Sequence, residues 1–415
     1  MTEISVRSPV EGPLSGLRIV ELGHFVAAPF CTRILADLGA EIIKVEPPGR
    51  GDPVRTWGEM VDGKSLWWSV HGRNKKSVTL NLKHPKGVDL AKRLIESADG
   101  VVENFKPGQL ERWGLGPEII EAINPGCTLV RISGYGQTGP YKDRAAFGVI
   151  GEAMGGLRHL TAFPADQSDL PPARTGVSLG DMVTGLYAAI GLLSALFEKH
   201  MRKGTANKGR VVDVALTESV FTLLEGCLPE YGKLGRVRQP SGSTLPTNAP
   251  SNAYPCRDGK WIVIAANSDA LFVKMMTLIG RADLADDPRF EDNPGRVCDA
   301  RELDGAITEW TLTRDGADAS KTVQAAGIPA SEIYTIEDCV NDQQFQDRDI
   351  VRTIHDPSLG DVLHPGIVPR FDSEGPTGGI GWAGPEVGAH NSEVYGGLLD
   401  LSSDDLEALK EEAVI

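Results

Sequence analysis

The sequence predicts an α/β fold: a large domain built on a parallel sheet, joined to a smaller α+β domain. Three observations carry this reading. Through the first third, short apolar runs alternate with helix-patterned segments, the pattern of βαβ units. The chain has 415 residues, too many for one compact core. After about residue 225 the texture changes to a Pro-, Ser- and Asn-rich stretch followed by a hairpin and helices.

The elements follow in order. "LRIVEL" (Leu17–Leu22) is a short apolar strand, and "PFCTRILADLG" (Pro29–Gly39) is a helix with Pro at its start and Gly at its stop. "EIIKVE" (Glu41–Glu46), "SVTLNL" (Ser77–Leu82), "GVVEN" (Gly100–Asn104) and "TLVRIS" (Thr128–Ser133) are further strands. "HPKGVDLAKRLIESA" (His84–Ala98) is a helix between two of them. Apolar strands in such alternation imply a parallel sheet covered on both faces, whose ligands bind at the carboxyl ends of the strands. "RQPSGSTLPTNAPSN" (Arg238–Asn252) reads as a linker. "YPCRDGKWIVIAA" (Tyr254–Ala266) is a hairpin turning at Asp258-Gly259. Helices follow at Asp269–Gly280 and Ala300–Leu312. The domains are therefore set at 14–225, 240–335 and a C-terminal return to the large domain over 345–415. The first dozen residues are expected to be a loose tail.

Hydrophobic residues make up 41% and charged residues 24% of the chain, as in globular proteins. A net charge of −15 repels nucleic acid and anionic membranes over most of the surface, so neither is expected as a partner. The N-terminus lacks an apolar signal core, and no uninterrupted run of 18 apolar residues predicts a membrane span. Six cysteines show no CxxC spacing. They read as reduced thiols of a cytoplasmic protein, with no metal site.

The first strand–helix turn, "ELGHFVAAPF", lacks GxGxxG, so no dinucleotide motif is present. His24 stands at this first strand end. Arg73, Lys75 and Lys76 precede one strand and Lys83 follows it; Asn104, Phe105, Lys106 and Arg112 follow another. These basic clusters read either as solvated faces or as the cradle of a phosphate-rich ligand, with Asn104-Phe105 holding a base ring. The glycines of "SGYGQTGPYKDRAAFG" (Ser133–Gly148) permit close backbone approach to a ligand. No HExxH or GxSxG motif supports zinc-protease or serine-hydrolase chemistry.

"VSLGDMVTGLYAAIGLLSALFEKH" (Val177–His200) is a helix, apolar nearly all round, that carries one carboxylate, Asp181, in its first turn. Helix capping explains such an Asp. A nucleophile kept ionised by the helix dipole also explains it.

Six ordered blocks weigh on that choice: "LSGLRIVEL…AAP…LADLGAEIIKVEPPGRGD", "RNKKSVTLNLKHPKG", "VENFKPG…ERWGL", "GYGQTGP", "GDMVTGLYAAIGLLSAL" and "PEVGAHNSEVYGG". Together, from Leu14 to about Tyr395, they resemble the class III (CaiB/BaiF-type) coenzyme A transferases. The resemblance implies a Rossmann-like large domain and a ring-shaped chain interlocked with its copy in a homodimer. It implies Asp181 as the nucleophile. It implies contacts to coenzyme A, bound as acyl-CoA, from His24, Val26, Ala27, Leu80, Lys83, Asn104, Phe105, Lys106 and Arg112. The implied route runs through an aspartyl anhydride and an aspartyl-CoA thioester, and exchanges one thioester for another without ATP or metal.

Two alternatives stand beside it. The related α-methylacyl-CoA racemases use a His where this chain has Phe147, and Phe cannot shuttle a proton. A non-catalytic CoA-binding protein would not need Asp181. Among the transferases, formyl-CoA enzymes carry a glycine-rich loop and a turn glutamine; here Ser243–Cys256 has no glycine between its ends and Val26 replaces the glutamine. The chain looks more like the succinyl-CoA-dependent transferases of C4–C6 dicarboxylates. Arg50, Arg55, Arg144 and Arg174 are the candidates to hold a second carboxylate.

Overall fold

The computed structural model describes residues 10–202, 208–371 and 375–415. Residues 1–9, most of the stretch expected to be a tail, lie outside the described residues.

A six-stranded, all-parallel sheet organises the first unit. Its strands are β1 (Arg18–Glu21), β2 (Glu41–Glu46), β3 (Lys75–Thr79), β4 (Gly100–Glu103), β5 (Thr128–Ser133) and β6 (Val211–Ala215). Their spatial order is β3-β2-β1-β4-β5-β6. This is the doubly wound order, which reverses between β1 and β4 and opens a ligand crevice at that point. Four helices matter for the site: α1 (Ala27–Asp37), α2 (Pro85–Glu96), α3 (Gly148–Met154) and α4 (Leu179–Met201). A short helix, α5 (Leu216–Phe221), follows β6 directly. One apolar core packs α2 and the chain's C-terminal residues against the sheet. The other packs α1 and α4 against it. At the α1–α4 crossing, a Cβ on Gly185 would lie 2.8 Å from the Ala27 carbonyl oxygen, so only glycine allows this approach.

Two differences from the sequence reading have physical causes. The third strand runs over Lys75–Thr79 rather than Ser77–Leu82. Charged residues enter it because each has a carboxylate partner: buried Lys75 Nζ lies 2.9 Å from Glu21, and half-buried Lys76 Nζ lies 2.6 Å from Glu41. The sixth strand, "VVDVA", was not foreseen; its short half-exposed alternation sits after a long helix and is easily read as loop. The helix α4 is long and apolar enough to cross a membrane by length and composition, with a mean hydropathy of 1.5. Its buried face belongs to the sheet-covering core, and its first turn carries Asp181.

The first unit comprises the described residues of Met1–Arg158 with Arg174–Pro229 and Arg348–Ile415; the second comprises His159–Ala173 and Glu230–Asp347. The segment His159–Ala173 thus groups with the second unit, although the sequence reading had placed it in the large domain. The second unit has a three-stranded antiparallel sheet of β7 (Ser251–Pro255), β8 (Trp261–Ala265) and β9 (Ala330–Glu332), in the order β9-β8-β7. It is backed by α6 (Asp269–Leu278), α7 (Ala300–Thr311) and α8 (Gly316–Ala325). All six cysteines are free.

Candidate active site

A cleft of about 740 Å³ opens at the carboxyl ends of the parallel strands, lined wholly by residues of the first unit. Each strand contributes a loop. The turn after β1 is held by a reciprocal pair at the strand-order reversal. His24 N–H donates to Asn104 Oδ1 at 2.8 Å, and Asn104 Nδ2 donates to the His24 carbonyl at 2.7 Å. Phe25, at φ 63°, donates its N–H to Asp52. Below the turn, Lys44 is fully buried. It contacts Glu21 at 2.8 Å, Asp52 at 2.6 Å and the Gly23 carbonyl at 2.5 Å. Burial alone would push the Glu21 carboxyl up; Lys44 and Lys75 outweigh it and hold it down. Burial, reinforced by Lys44, pushes His24 down to about 4, so its imidazole is neutral at pH 7.

Asp181 is the third residue of α4, behind an N-cap Ser178 whose side chain makes no capping bond. It is therefore not the cap, and the capping explanation fails. The Gly148 backbone N–H donates to its carboxylate. A Cβ on Gly148 would lie 2.2 Å from Asp181 Oδ2. The carboxylate is harder to ionise than a helix N-terminus alone would make it. Burial, then the Glu152 carboxylate, push Asp181 up to about 6, against Arg174 and the Gly148 N–H.

Asp181, His24, Ala27, Leu80, Lys83, Asn104, Phe105 and Lys106 all line the cleft. Val26 and Arg112 do not. Val26 is 2% exposed and forms the N-cap of α1, so its side chain faces the core. Arg112 is exposed and donates to Gln109 Oε1 at 2.6 Å. Asn104 lines the cleft while one N–H and one lone pair of its amide bind the His24 backbone. Phe105 packs edge-on between His24 and Trp113, with centroids at 4.7 and 4.9 Å.

The first basic cluster is corrected outright. Arg73 and Lys75 are buried and paired with Asp37 and Glu21, and Lys76 bridges Glu41 and Glu393. They tie the sheet together and do not face the cleft. Of the four arginine candidates, Arg55 grips Glu46 through two bonds of 2.7 Å. Arg50 and Arg144 line the cleft. The Arg144 guanidinium lies 3.5 Å from the Tyr141 ring centroid and has no carboxylate partner among the described residues. Arg174 acts on Asp181 through its charge. Phe147 also lines the cleft and is 58% exposed, so the position of the racemase base holds no proton carrier. No group of three or more His, Cys, Asp or Glu side chains that could hold a metal occurs among the described residues.

Sequence reasoning missed Gly148, Glu152 and the Lys44–Asp52 pair. The only signal for the first two was the first of four glycines and the one Glu in the run "FGVIGEAMGG".

The pattern that describes CoA-transferase family III matches residues 14–391. The chain belongs to this family. The CoA-transferase is 46% identical over 404 residues to the succinyl-CoA–D-citramalate CoA-transferase of Chloroflexus aurantiacus, covering 97% of this chain and 98% of that one. It is 36% identical over 406 residues to the succinyl-CoA–L-malate CoA-transferase beta subunit of the same organism, covering 97% and 98%. Among solved structures, a CAIB/BAIF family protein from Brucella suis superposes with a TM-score of 0.80 at 33% identity, covering 94% of this chain and 100% of that one. CoA is thus a substrate of this CoA-transferase.

Proposed function

We propose that the enzyme moves coenzyme A from succinyl-CoA to a C4–C6 dicarboxylate, with Asp181 as nucleophile. The observation that carries this reading is the placement of Asp181 in one cleft with two sets of cations. Lys83 and Lys106 follow β3 and β4; Arg144 lies in the loop after β5, across the strand-order reversal from Lys83. The polyanionic nucleotide end of CoA suits the lysines, and the distal carboxylate of the acceptor suits Arg144. The relatives acting on citramalate and malate support the substrate class.

An Asp181 oxygen attacks the thioester carbonyl. The C–S bond breaks, giving a mixed anhydride and CoA thiolate. The thiolate attacks the Asp181 acyl carbon, releases succinate and leaves an aspartyl-CoA thioester. An acceptor carboxylate then attacks that carbon, and thiolate leaves and returns to the acceptor's carbonyl, which frees Asp181. A carboxylate whose basicity is raised by burial is a better nucleophile once ionised than an exposed one. Backbone N–H groups of the glycine loops stabilise the oxyanions.

The enzyme acts as a homodimer in this reading. Leu186, Ile190, Phe197 and Met201 form an exposed stripe on one face of α4, which calls for a covering surface. The six free thiols fit a reducing cytoplasm. A matrix of acyl-CoA donors against carboxylic acids, read by mass spectrometry of the CoA products, tests the assignment. Turnover should be highest for succinyl-CoA with a C4–C6 dicarboxylate. Acceptance of monocarboxylates only would refute the substrate class while leaving CoA transfer intact.

A further inference from the structure

The buried carboxylate of Glu152, behind the nucleophile, has no role in the steps above. It lies on α3 and is 1% exposed. Its Oε1 accepts the Gly180 backbone N–H at 3.2 Å. Its Oε2 has no hydrogen-bond partner and lies 3.7 Å from Arg158 Nε. A Cβ on Gly180 would lie 2.6 Å from the Gly148 carbonyl oxygen and 3.3 Å from Glu152 Cγ, so α3 and the first turn of α4 are in backbone contact. Gly180 directly precedes Asp181. One carboxylate thus holds the peptide before the nucleophile while sharing its surroundings.

We propose that Glu152 is a positioning residue for Asp181: it fixes the first turn of α4 and presents a negative charge, balanced by Arg158, to the nucleophile's carboxylate. A buried carboxylate with an unmet oxygen is costly. Gln would satisfy the same Gly180 N–H without the charge, so a purely structural role does not require Glu. The charge has an electrostatic consequence: it opposes ionisation of Asp181, as burial does. Other charges on the packed elements are engaged or remote. On α1, Asp37 pairs with Arg73, and Arg33 stacks on Phe30. On β5, Arg131 pairs with Glu103 and Glu111. On β6, Asp213 accepts the Gln137 N–H. On α5, Glu218 is exposed. On α4, Glu198, Lys199 and His200 lie about 25 Å along the axis from Asp181. Arg174 is the charge that favours the ionised form.

The inference rests on Asp181 being the nucleophile, and the test separates the two. The pH dependence of kcat/KM for succinyl-CoA is measured for wild type, Glu152→Gln and Arg158→Met, with hydroxylamine trapping of the Asp181 adduct in each. Glu152→Gln should move the acid limb to lower pH. The fraction of plateau rate kept near pH 5 should rise by roughly threefold. Arg158→Met leaves Glu152 unbalanced and should move the limb to higher pH. Opposite shifts are what a charge on Glu152 requires and what mere loosening of the helix would not give. Should Glu152→Gln not fold, the Arg158→Met shift still decides. An Asp181 adduct with an unmoved limb, or with both limbs moving the same way, would overturn the role of Glu152. Absence of any Asp181 adduct in a wild-type enzyme that turns over would overturn the nucleophile and this inference with it.

Discussion

Gly148 and Asp181 touch through backbone and carboxylate: the Gly148 N–H donates to Asp181, and there is no room for a Cβ between them. A methyl at residue 148 would stand 2.2 Å from Asp181 Oδ2 and 2.9 Å from the Asp181 backbone nitrogen. The Asp side chain is short, so it can only rotate out of the contact. Gly148→Ala should therefore lower kcat by about tenfold or more, since a reacting group displaced by an ångström loses its geometry. Stability should fall by about 1–3 kcal/mol, because the Asp181 backbone nitrogen cannot swing away from the methyl as the carboxylate can. Steady-state kinetics beside a thermal melt checks this; unchanged kcat would show that the contact does not set the nucleophile.

Burial and the Glu152 carboxylate push Asp181 up to about 6, above its ordinary 3.8. The ionised form is the reactive one, so activity should rise with pH through about 6 and be flat above it. The stability consequence has the opposite sense. The folded state holds the proton more tightly than the unfolded chain, so stability falls as pH climbs from the ordinary value through 6. Asp181→Asn should then be more stable than wild type at pH 8, by on the order of 3 kcal/mol, and equal to it below about pH 4. Denaturant melts at the two pH values check the sign.

Lys83 and Lys106 face the cleft, whereas Arg112 turns to Gln109. Lys83→Glu and Lys106→Glu should each raise the KM for acyl-CoA by roughly tenfold, with little change in acceptor KM. Arg112→Glu should have a much smaller effect. A large acyl-CoA effect confined to Arg112 would move the nucleotide end of CoA off this face.

Arg144 stacks on Tyr141 with no carboxylate partner among the described residues. Arg144→Gln should raise the KM for a dicarboxylate acceptor, and for succinyl-CoA with its own distal carboxylate, by about tenfold or more, while leaving the KM for an acyl-CoA without a distal carboxylate unaltered. An acceptor with its distal carboxylate amidated should be indifferent to the substitution. Equal losses for both acceptors would remove Arg144 from carboxylate recognition.

Much of this organisation is legible in the sequence. Strands such as Glu41–Glu46 and Thr128–Ser133 are legible from their dense β-branched and apolar residues (Ile42, Ile43, Val45; Leu129, Val130, Ile132), which are buried because both faces of the sheet are covered. Asp181 stands out as the carboxylate in the first turn of a largely apolar helix, but its reading as a nucleophile rests on the resemblance of the six ordered blocks to class III CoA-transferases. The basic clusters were less readable. Lys75 and Lys83 look alike in a string of residues, yet one is sealed against Glu21 and the other opens to the cleft. That difference depends on which strand lies beside which. Glu152 and Gly148 were invisible for the same reason: their meaning lies in contact with a helix that starts some thirty residues later.

The most direct measurement is to incubate the wild-type enzyme with succinyl-CoA alone, trap with hydroxylamine or borohydride, and map the modified peptide by mass spectrometry. The account predicts modification at Asp181, absent from Asp181→Ala, which should retain its fold and lose at least roughly 10³-fold in transfer. Full transfer activity in Asp181→Ala, or a trapped adduct on another residue, would contradict it.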